Sequence, residues 1–330
     1  MAAVPTRSLG ALEVPSIGFG VMVLSGVYDD VDDTAAERAL AAAIDAGATF
    51  LDTSDAYGAG HNEELIARWH RGRRRDEIQI ATKFGMRPLD GEPVHQLRVE
   101  WNRKPVPINA EGRLVRRYLE RSLRHLGTDH VDLYYPHFPD PEVPIEDTVG
   151  AMAELVTAGL VRHLGLSNAS GAQLRRAAAV HPVAAVQVEW SMWQPIEPDL
   201  LDACRELGVG VVPWSPLGRG FLSGELQAQP NDWRTRVTRL DEQHLAVNND
   251  RFAPVRGVAA ELGLTPSQLA LVWLLHQYER VVPIPGSRDP GHIRANVAAG
   301  ERTLTPDELA RVDAALAAFE PDGAMYGASA

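Results

Sequence analysis

Four side chains in this 330-residue chain, Asp52, Tyr57, Lys83 and His137, are of the types that together deliver a proton to a carbonyl oxygen. Each sits at the end of a short apolar run or just beyond one. "ATFLD" (48–52) ends on Asp52, "EIQIATK" (77–83) ends on Lys83, and "VDLYYP" (131–136) runs into His137. Tyr57 follows Asp52 in the glycine-containing stretch "SDAYGAG". Taken singly, each has an ordinary use: a turn cap, a surface lysine, a satisfied core histidine. Taken together they make a proton-transfer set. Carbonyl reduction needs hydride at carbon and a proton at the developing alkoxide. A phenol with a pKa near ~10 is a poor acid at neutral pH. A neighbouring ammonium lowers that pKa, and a carboxylate keeps the ammonium charged and oriented. A histidine fixes the carbonyl oxygen by a hydrogen bond.

Something must bring these four residues together. Eight β-type apolar runs are present: 16–21, 48–52, 77–83, 131–136, 161–167, 184–189, 208–214 and 281–286. Helical stretches such as "TAAERALAAAIDAG" and "GRLVRRYLERSLRHLG" separate them. In the latter, Leu114, Tyr118, Arg121 and His125 fall near helical spacing and Gly127 marks a stop. Eight alternating units predict a closed (β/α)₈ barrel over residues 1–330, a single domain. Its strand exits lie side by side, so residues distant in sequence converge. Long segments at 85–109 and 218–250 leave from the C-terminal strand ends, where barrels build their sites. "RSLGALEVPS" reads as a hairpin closing the barrel bottom. A doubly wound dinucleotide fold is rejected: "GFGVMV" and "GAGHNE" each supply only the first two glycines of its fingerprint.

Composition narrows the function. Hydrophobic residues make up 45% and charged residues 23%, the balance of an ordinary globular protein. A lone cysteine, Cys204, excludes internal disulfides and thiolate metal centres. The net charge of −12 argues against a general nucleic-acid binder. The opening "MAAVPTRSLG" lacks the apolar run of a signal peptide, and no run approaches a membrane span, so a cytoplasmic protein is expected. No H-x-H or H-E-x-x-H spacing supports a metal site.

"FLDTSDAYG", "IATKFG", "DLYYPHFPDP", "HLGLSN", "VQVEWS", "VVPWSPLGRGFLSG" and "VPIPGSR" occur in the order seen in aldo-keto reductases, and the chain resembles that family over nearly its full length. It is most similar to the bacterial branch carrying "SPLGRGFLSG" after the seventh strand. The resemblance implies an NADPH-dependent barrel reductase of small carbonyl compounds, with Asp52, Tyr57, Lys83 and His137 as its tetrad. It also implies cofactor positions. Ser167, Asn168 and Gln187 meet the nicotinamide carboxamide, and Gly20, Val21, Met22 and Asp52 line the adjoining wall. Trp214 stacks on the ring. Ser215, Leu217, Gly218, Arg219 and Gly220 follow the pyrophosphate. Ile284, Gly286, Ser287, Arg288, His292 and Asn296 surround the adenosine end, with Arg288 on the 2′-phosphate.

Four departures from the family pattern stand out. Trp214 replaces a tyrosine, Pro136 precedes His137 and lacks a backbone donor, Ala295 replaces a glutamate, and Asp289 places a carboxylate beside the phosphate position. Tyr28, Phe84, Trp101, Phe138, Trp193 and Trp233 are candidates for an aromatic substrate pocket, suited to a bulky apolar carbonyl compound. The alternative function is a non-catalytic nicotinamide-sensing subunit of the same fold. Monomer and homo-oligomer are both compatible with the sequence.

Overall fold

The computed structural model describes residues 4–26, 31–99 and 104–325. Tyr28 and Trp101 lie outside the described residues. The chain opens on an antiparallel hairpin, β1 (Thr6–Leu9) and β2 (Leu12–Pro15). Parallel strands β3 (Phe19–Gly20), β4 (Phe50–Asp52) and β5 (Gln79–Phe84) follow. The segment after β5 carries a second hairpin, β6 (His95–Leu97) and β7 (Val106–Ile108). The parallel sheet then continues through β8 (Val131–Pro136), β9 (Val161–Ser167), β10 (Val183–Glu189) and β11 (Gly210–Trp214).

Helices α1 (Asp33–Asp45), α2 (His61–His70), α3 (Gly112–Leu126), α4 (Ile145–Thr157), α5 (Gly171–Val180) and α6 (Pro198–Leu207) connect successive strands. α7 (Glu242–Glu261), α8 (Pro266–Gln277), α9 (Pro290–Ala298) and α10 (Pro306–Ala317) complete the outer layer. Local signals set their ends. Capping boxes at Ser170, Thr265 and Thr305 start α5, α8 and α10, and left-handed Gly127 and Gly208 stop α3 and α6. Among the described residues no single helix is long and apolar enough to cross a membrane.

Seven parallel strands form a nearly closed barrel, and the eighth apolar run closes it. Val282 and Ile284 donate their amides to Val211 and Pro213 of β11. On the other side, Gly18 and Gly20 donate to the carbonyls of Pro283 and Pro285. Residues 281–286 thus bridge β11 and β3. The two prolines have no N–H to return to β3, so the ladder there is half made. The fold is a (β/α)₈ barrel.

Period-two alternation sorts the strand residues into two layers. Leu51, Ile80, Tyr134, Val186 and Val211 face the helices. Phe50, Ala81, Leu133, Tyr135, Ala185 and Val212 fill the barrel interior, with Leu9, Leu12 and Val14 of the hairpin inserted beneath them. The hairpin is therefore a plug. Asp52, Lys83, Ser167, Gln187 and Trp214 continue the inward parity to the last layer at the C-terminal mouth.

Leu9 is fully buried in the interior cluster. Leu9→Ala is expected to lower unfolding free energy by about 2–5 kcal/mol, the cost of a core cavity. Urea denaturation reads this as a lower midpoint at unchanged slope. A loss within about 0.5 kcal/mol, as for a surface site, would show that the hairpin does not plug the barrel.

Candidate active site

Asp52 and Lys83 meet at the mouth of the barrel from the neighbouring strands β4 and β5, both nearly inaccessible to solvent. Lys83 Nζ donates to Asp52 Oδ1 at 2.5 Å, to the Thr53 carbonyl at 2.9 Å and to the Tyr57 hydroxyl at 3.4 Å. Those three contacts use all three ammonium protons. The other carboxylate oxygen, Asp52 Oδ2, accepts from Gln187 Nε2 at 2.7 Å. Burial alone would push the Lys83 pKa down, but Asp52 and Tyr57 together hold it above its ordinary value. The lysine stays charged. Burial also pushes the Asp52 carboxyl up, opposed by Lys83 and Gln187.

Tyr57 is half-buried on a tight turn in which Gly58, Ala59 and Gly60 all have left-handed backbone. At Gly60 a Cβ would lie 2.4 Å from the His125 ring, so the turn approaches α3 as only glycine allows. Arg87 ties it further by donating to the Ala59 carbonyl. One expectation needs correction here. Lys83 does pull the phenol pKa down, but burial outweighs it and Asp52 opposes it, so the pKa lies above the ordinary value. The phenol is therefore fully protonated at neutral pH.

His137 follows β8, and its own amide bonds the Phe84 carbonyl at 2.8 Å, so the ladder resumes directly after Pro136. Its ring meets Tyr57 edge-on at 5.8 Å, and Nδ1 lies 3.1 Å from Ser54 Oγ. Burial and then the Lys83 charge hold its pKa well below the ordinary histidine value. The imidazole is neutral.

Asp52, Tyr57 and His137 form one end of a cavity of about 600 Å³, with Lys83 behind them. Ser167, Asn168, Gln187 and Trp214 line its middle. Asn168 donates to the His137 carbonyl and to Ser167 Oγ, both at 3.0 Å, and accepts from Trp214 Nε1 at 3.1 Å. The indole that replaces a phenol thus gains a bond to its neighbour. Gln187, already donating to Asp52, has its carbonyl oxygen left to offer a carboxamide.

The far end is lined by Ser215, Leu217, Arg219 and Gly220, and by Ile284, Gly286, Ser287 and Arg288. Arg219 pairs with Glu189 at 2.8 Å and lies between the Trp214 and Trp233 rings, 5.6 and 5.2 Å from their centroids. Arg234 donates to the Arg219 carbonyl at 3.0 Å and lines the same wall with Arg236. Four arginines and one aspartate border the cavity of a strongly acidic chain. Amide and hydroxyl groups at one end and guanidinium groups at the other fit a nicotinamide dinucleotide.

Four expected cofactor residues do not line this cavity. Val21 points into the hydrophobic core, and Gly218 is covered by Leu222 and Trp193. His292 is exposed near Glu225, and Asn296 is buried farther along α9. Asp289 caps α9 by accepting from the His292 amide at 2.8 Å. Of the aromatic candidates, Phe138 and Trp233 reach the cavity. Phe84 stacks on Tyr134, and Trp193 packs at a tilt against Phe221, in the core behind it. Sequence reasoning missed Val23, Met86, Arg234 and Arg236, which line the cavity from short 3₁₀ turns and the segment after β5.

Backbone strain marks the same region. Among the described residues four non-glycines have positive φ: Ala59, Asn168, Ser215 and Arg219. Three of them line the cavity and the fourth adjoins the Tyr57 turn. Such conformations cost of order 1–3 kcal/mol each and gather where geometry serves function.

The aldo/keto reductase family model matches residues 16–317. The chain is 38% identical over 319 residues to probable aldo-keto reductase 1 of Glycine max, covering 95% of this chain and 89% of that protein. It is 37% identical over 335 residues to the Schizosaccharomyces pombe aldo-keto reductase yakc, whose name specifies NADP(+), covering 98% and 95%. Glycerol dehydrogenase AKR11B4 of Gluconobacter oxydans superposes with a TM-score of 0.82 at 26% identity, covering 98% of each chain.

The ion pair yields a stability prediction. Lys83→Met leaves Asp52 buried without its counter-charge and is expected to cost about 3–5 kcal/mol. The double variant Asp52→Leu/Lys83→Met, which removes both charges, is expected to cost less than the single one. Chemical denaturation of both decides. A double variant less stable than Lys83→Met would show that the charges are not energetically paired.

Proposed function

The chain belongs to the aldo/keto reductase family, a class of NAD(P)H-dependent oxidoreductases, and from that premise we propose that it reduces an aldehyde or ketone with NADPH, Tyr57 giving the proton. The observation that carries this is the contact of Lys83 with both Asp52 and Tyr57 at the neutral end of the cavity. When bound, the reduced nicotinamide supplies hydride to the carbonyl carbon. Neutral His137 orients the carbonyl oxygen through Nε2, since Nδ1 is engaged with Ser54. Tyr57 passes its proton to that oxygen as negative charge develops there. Lys83 stabilises the phenolate left behind, and Asp52 keeps Lys83 charged and aimed. Ser167, Asn168 and Gln187 would hold the carboxamide, Trp214 the ring face, and Arg288 the 2′-phosphate.

NADPH oxidation by the purified chain with an aromatic aldehyde tests the whole. Tyr57→Phe should lose at least ~10³-fold in turnover, with NADPH affinity changed only a few-fold. Near-wild-type turnover would remove Tyr57 from the mechanism. A wild type that binds NADPH and turns nothing over would favour the sensing subunit instead.

Cofactor choice gives a second prediction. A forked contact between Arg288 and the 2′-phosphate is worth roughly 1.5–3 kcal/mol, about ten- to over a hundredfold. Asp289 already offers a carboxylate to the adjacent helix start, so the preference for NADPH should be real but modest. Arg288→Ala should raise the KM for NADPH and leave that for NADH nearly unchanged. Comparable losses with both cofactors would show that Arg288 does not read the phosphate.

A further inference from the structure

Behind His137 lies a second buried polar chain that proton delivery by Tyr57 does not use. Ser54 Oγ is 3.1 Å from His137 Nδ1, 3.3 Å from Asp55 Oδ1 and 3.5 Å from the Lys83 carbonyl, and it accepts from the Ala56 amide at 3.2 Å. Asp55 Oδ2 accepts from Arg121 at 2.6 Å. Ser54 and Asp55 are both fully buried.

A serine hydroxyl has one proton to give and two lone pairs to fill. The Ala56 amide fills one lone pair, and the Lys83 carbonyl, at 3.5 Å, is the most distant acceptor for the proton, which leaves two arrangements among the closer partners. In the first, protonated Asp55 donates to Ser54 and Ser54 donates to His137 Nδ1. The neutral imidazole then carries its hydrogen on Nε2, facing the cavity as a donor. In the second, ionised Asp55 accepts from Ser54, and Ser54 accepts from Nδ1–H. The imidazole then presents a lone pair at Nε2. Every donor and acceptor is matched in both, and the two differ in the proton on Asp55.

We propose that Ser54 and Asp55 are positioning residues that set the tautomer of His137, and through it whether the site donates to or accepts from the substrate oxygen. This control rests on the carbonyl-orienting role of His137. A donor at Nε2 suits carbonyl reduction, and an acceptor there suits the reverse oxidation of an alcohol. The setting of Asp55 allows both states. Burial, opposed by Arg121 on α3 and reinforced by Glu63 on α2, pushes its carboxyl up to about 7. Tyr118 on α3 and Tyr134 on β8 also face it, and Glu63 is itself held by Thr82 of β5 and His125 of α3. Toward His137, the facing charge is Lys83 on β5, with Tyr57 at the ring edge.

Nitrogen-15 NMR of histidine-labelled protein, without cofactor, reads the tautomer directly. His137→Gln identifies its signals. Between about pH 6 and about pH 8, on either side of the Asp55 carboxyl at about 7, wild-type His137 should stay neutral and pass from the Nε2–H to the Nδ1–H form. Asp55→Asn, whose amide can donate to Ser54 at every pH, should hold the Nε2–H form throughout. Its kcat/KM for reduction should lack the fall above neutral pH that is expected of the wild type. A single tautomer across the wild-type titration would overturn the proposal, and that measurement requires only the assignment variant His137→Gln to fold. So would a titration unchanged by Asp55→Asn. Because the tautomer is read without turnover, an inactive protein whose His137 still switches would count against the reductase function alone.

Discussion

The active end of the molecule depends on one buried ion pair. Removing a carboxylate and an ammonium from water costs several kcal/mol per ion, and mutual attraction repays it only when every remaining hydrogen-bonding position is filled. Here every ammonium proton is used and each carboxylate oxygen has a donor. Lys83 has Asp52, the Thr53 carbonyl and Tyr57, and Asp52 has Lys83 and Gln187. Asp52 comes from β4, Lys83 from β5 and Gln187 from β10, on the opposite side of the sheet order. The pair is satisfied only in a closed barrel whose strands are in register. Closure in turn rests on the proline-bearing eighth run, and the interior beneath rests on the hairpin plug.

That rigid base allows strain above it. The Tyr57 turn holds three successive left-handed residues against α3, and the loop after β11 holds Arg219 and Gly220 likewise. Arg219 is anchored by Glu189 and packed between two indoles, which fixes the loop backbone over the cavity. Trp233 and Arg234 join it from the long segment beyond. Trp214 belongs to both systems, with its face toward Arg219 and its N–H on Asn168. Cofactor-side and substrate-side walls are therefore mechanically connected.

Much of this was legible in the residues. Alternating apolar runs gave the barrel, and carboxylate, lysine and histidine at successive strand exits gave the active end. Parity could have done more. Phe84 follows Lys83 in β5, so it must face the helices and not the cavity, and it stacks there on Tyr134. The stripe Leu114, Tyr118, Arg121, His125 set an arginine and a histidine on the apolar face of α3. That placement signalled buried carboxylates opposite, and Asp55 and Glu63 are those partners. Other features had no local signal. Which loop residues reach the cavity depends on how segments after β5 and β11 fold back, and side-chain type alone does not encode it. Val21 and Met22 differ only in direction, one into the core and one into the cavity.

Dehydration, more than any single charge, sets the protonation of the site. It is the leading influence on Tyr57, His137 and Asp52, and Lys83 keeps its charge against it because Asp52, at 2.5 Å, and Tyr57 hold it. The result is a neutral phenol, a neutral imidazole and an ion pair whose charges cancel. A carbonyl entering there meets donors without net charge, in a low-dielectric pocket where such donors act most strongly. The arginines gather at the other end of the same cavity, where a dinucleotide carries its phosphates. Segregating the two would let one continuous cavity take a polyanion without placing uncompensated positive charge beside Tyr57.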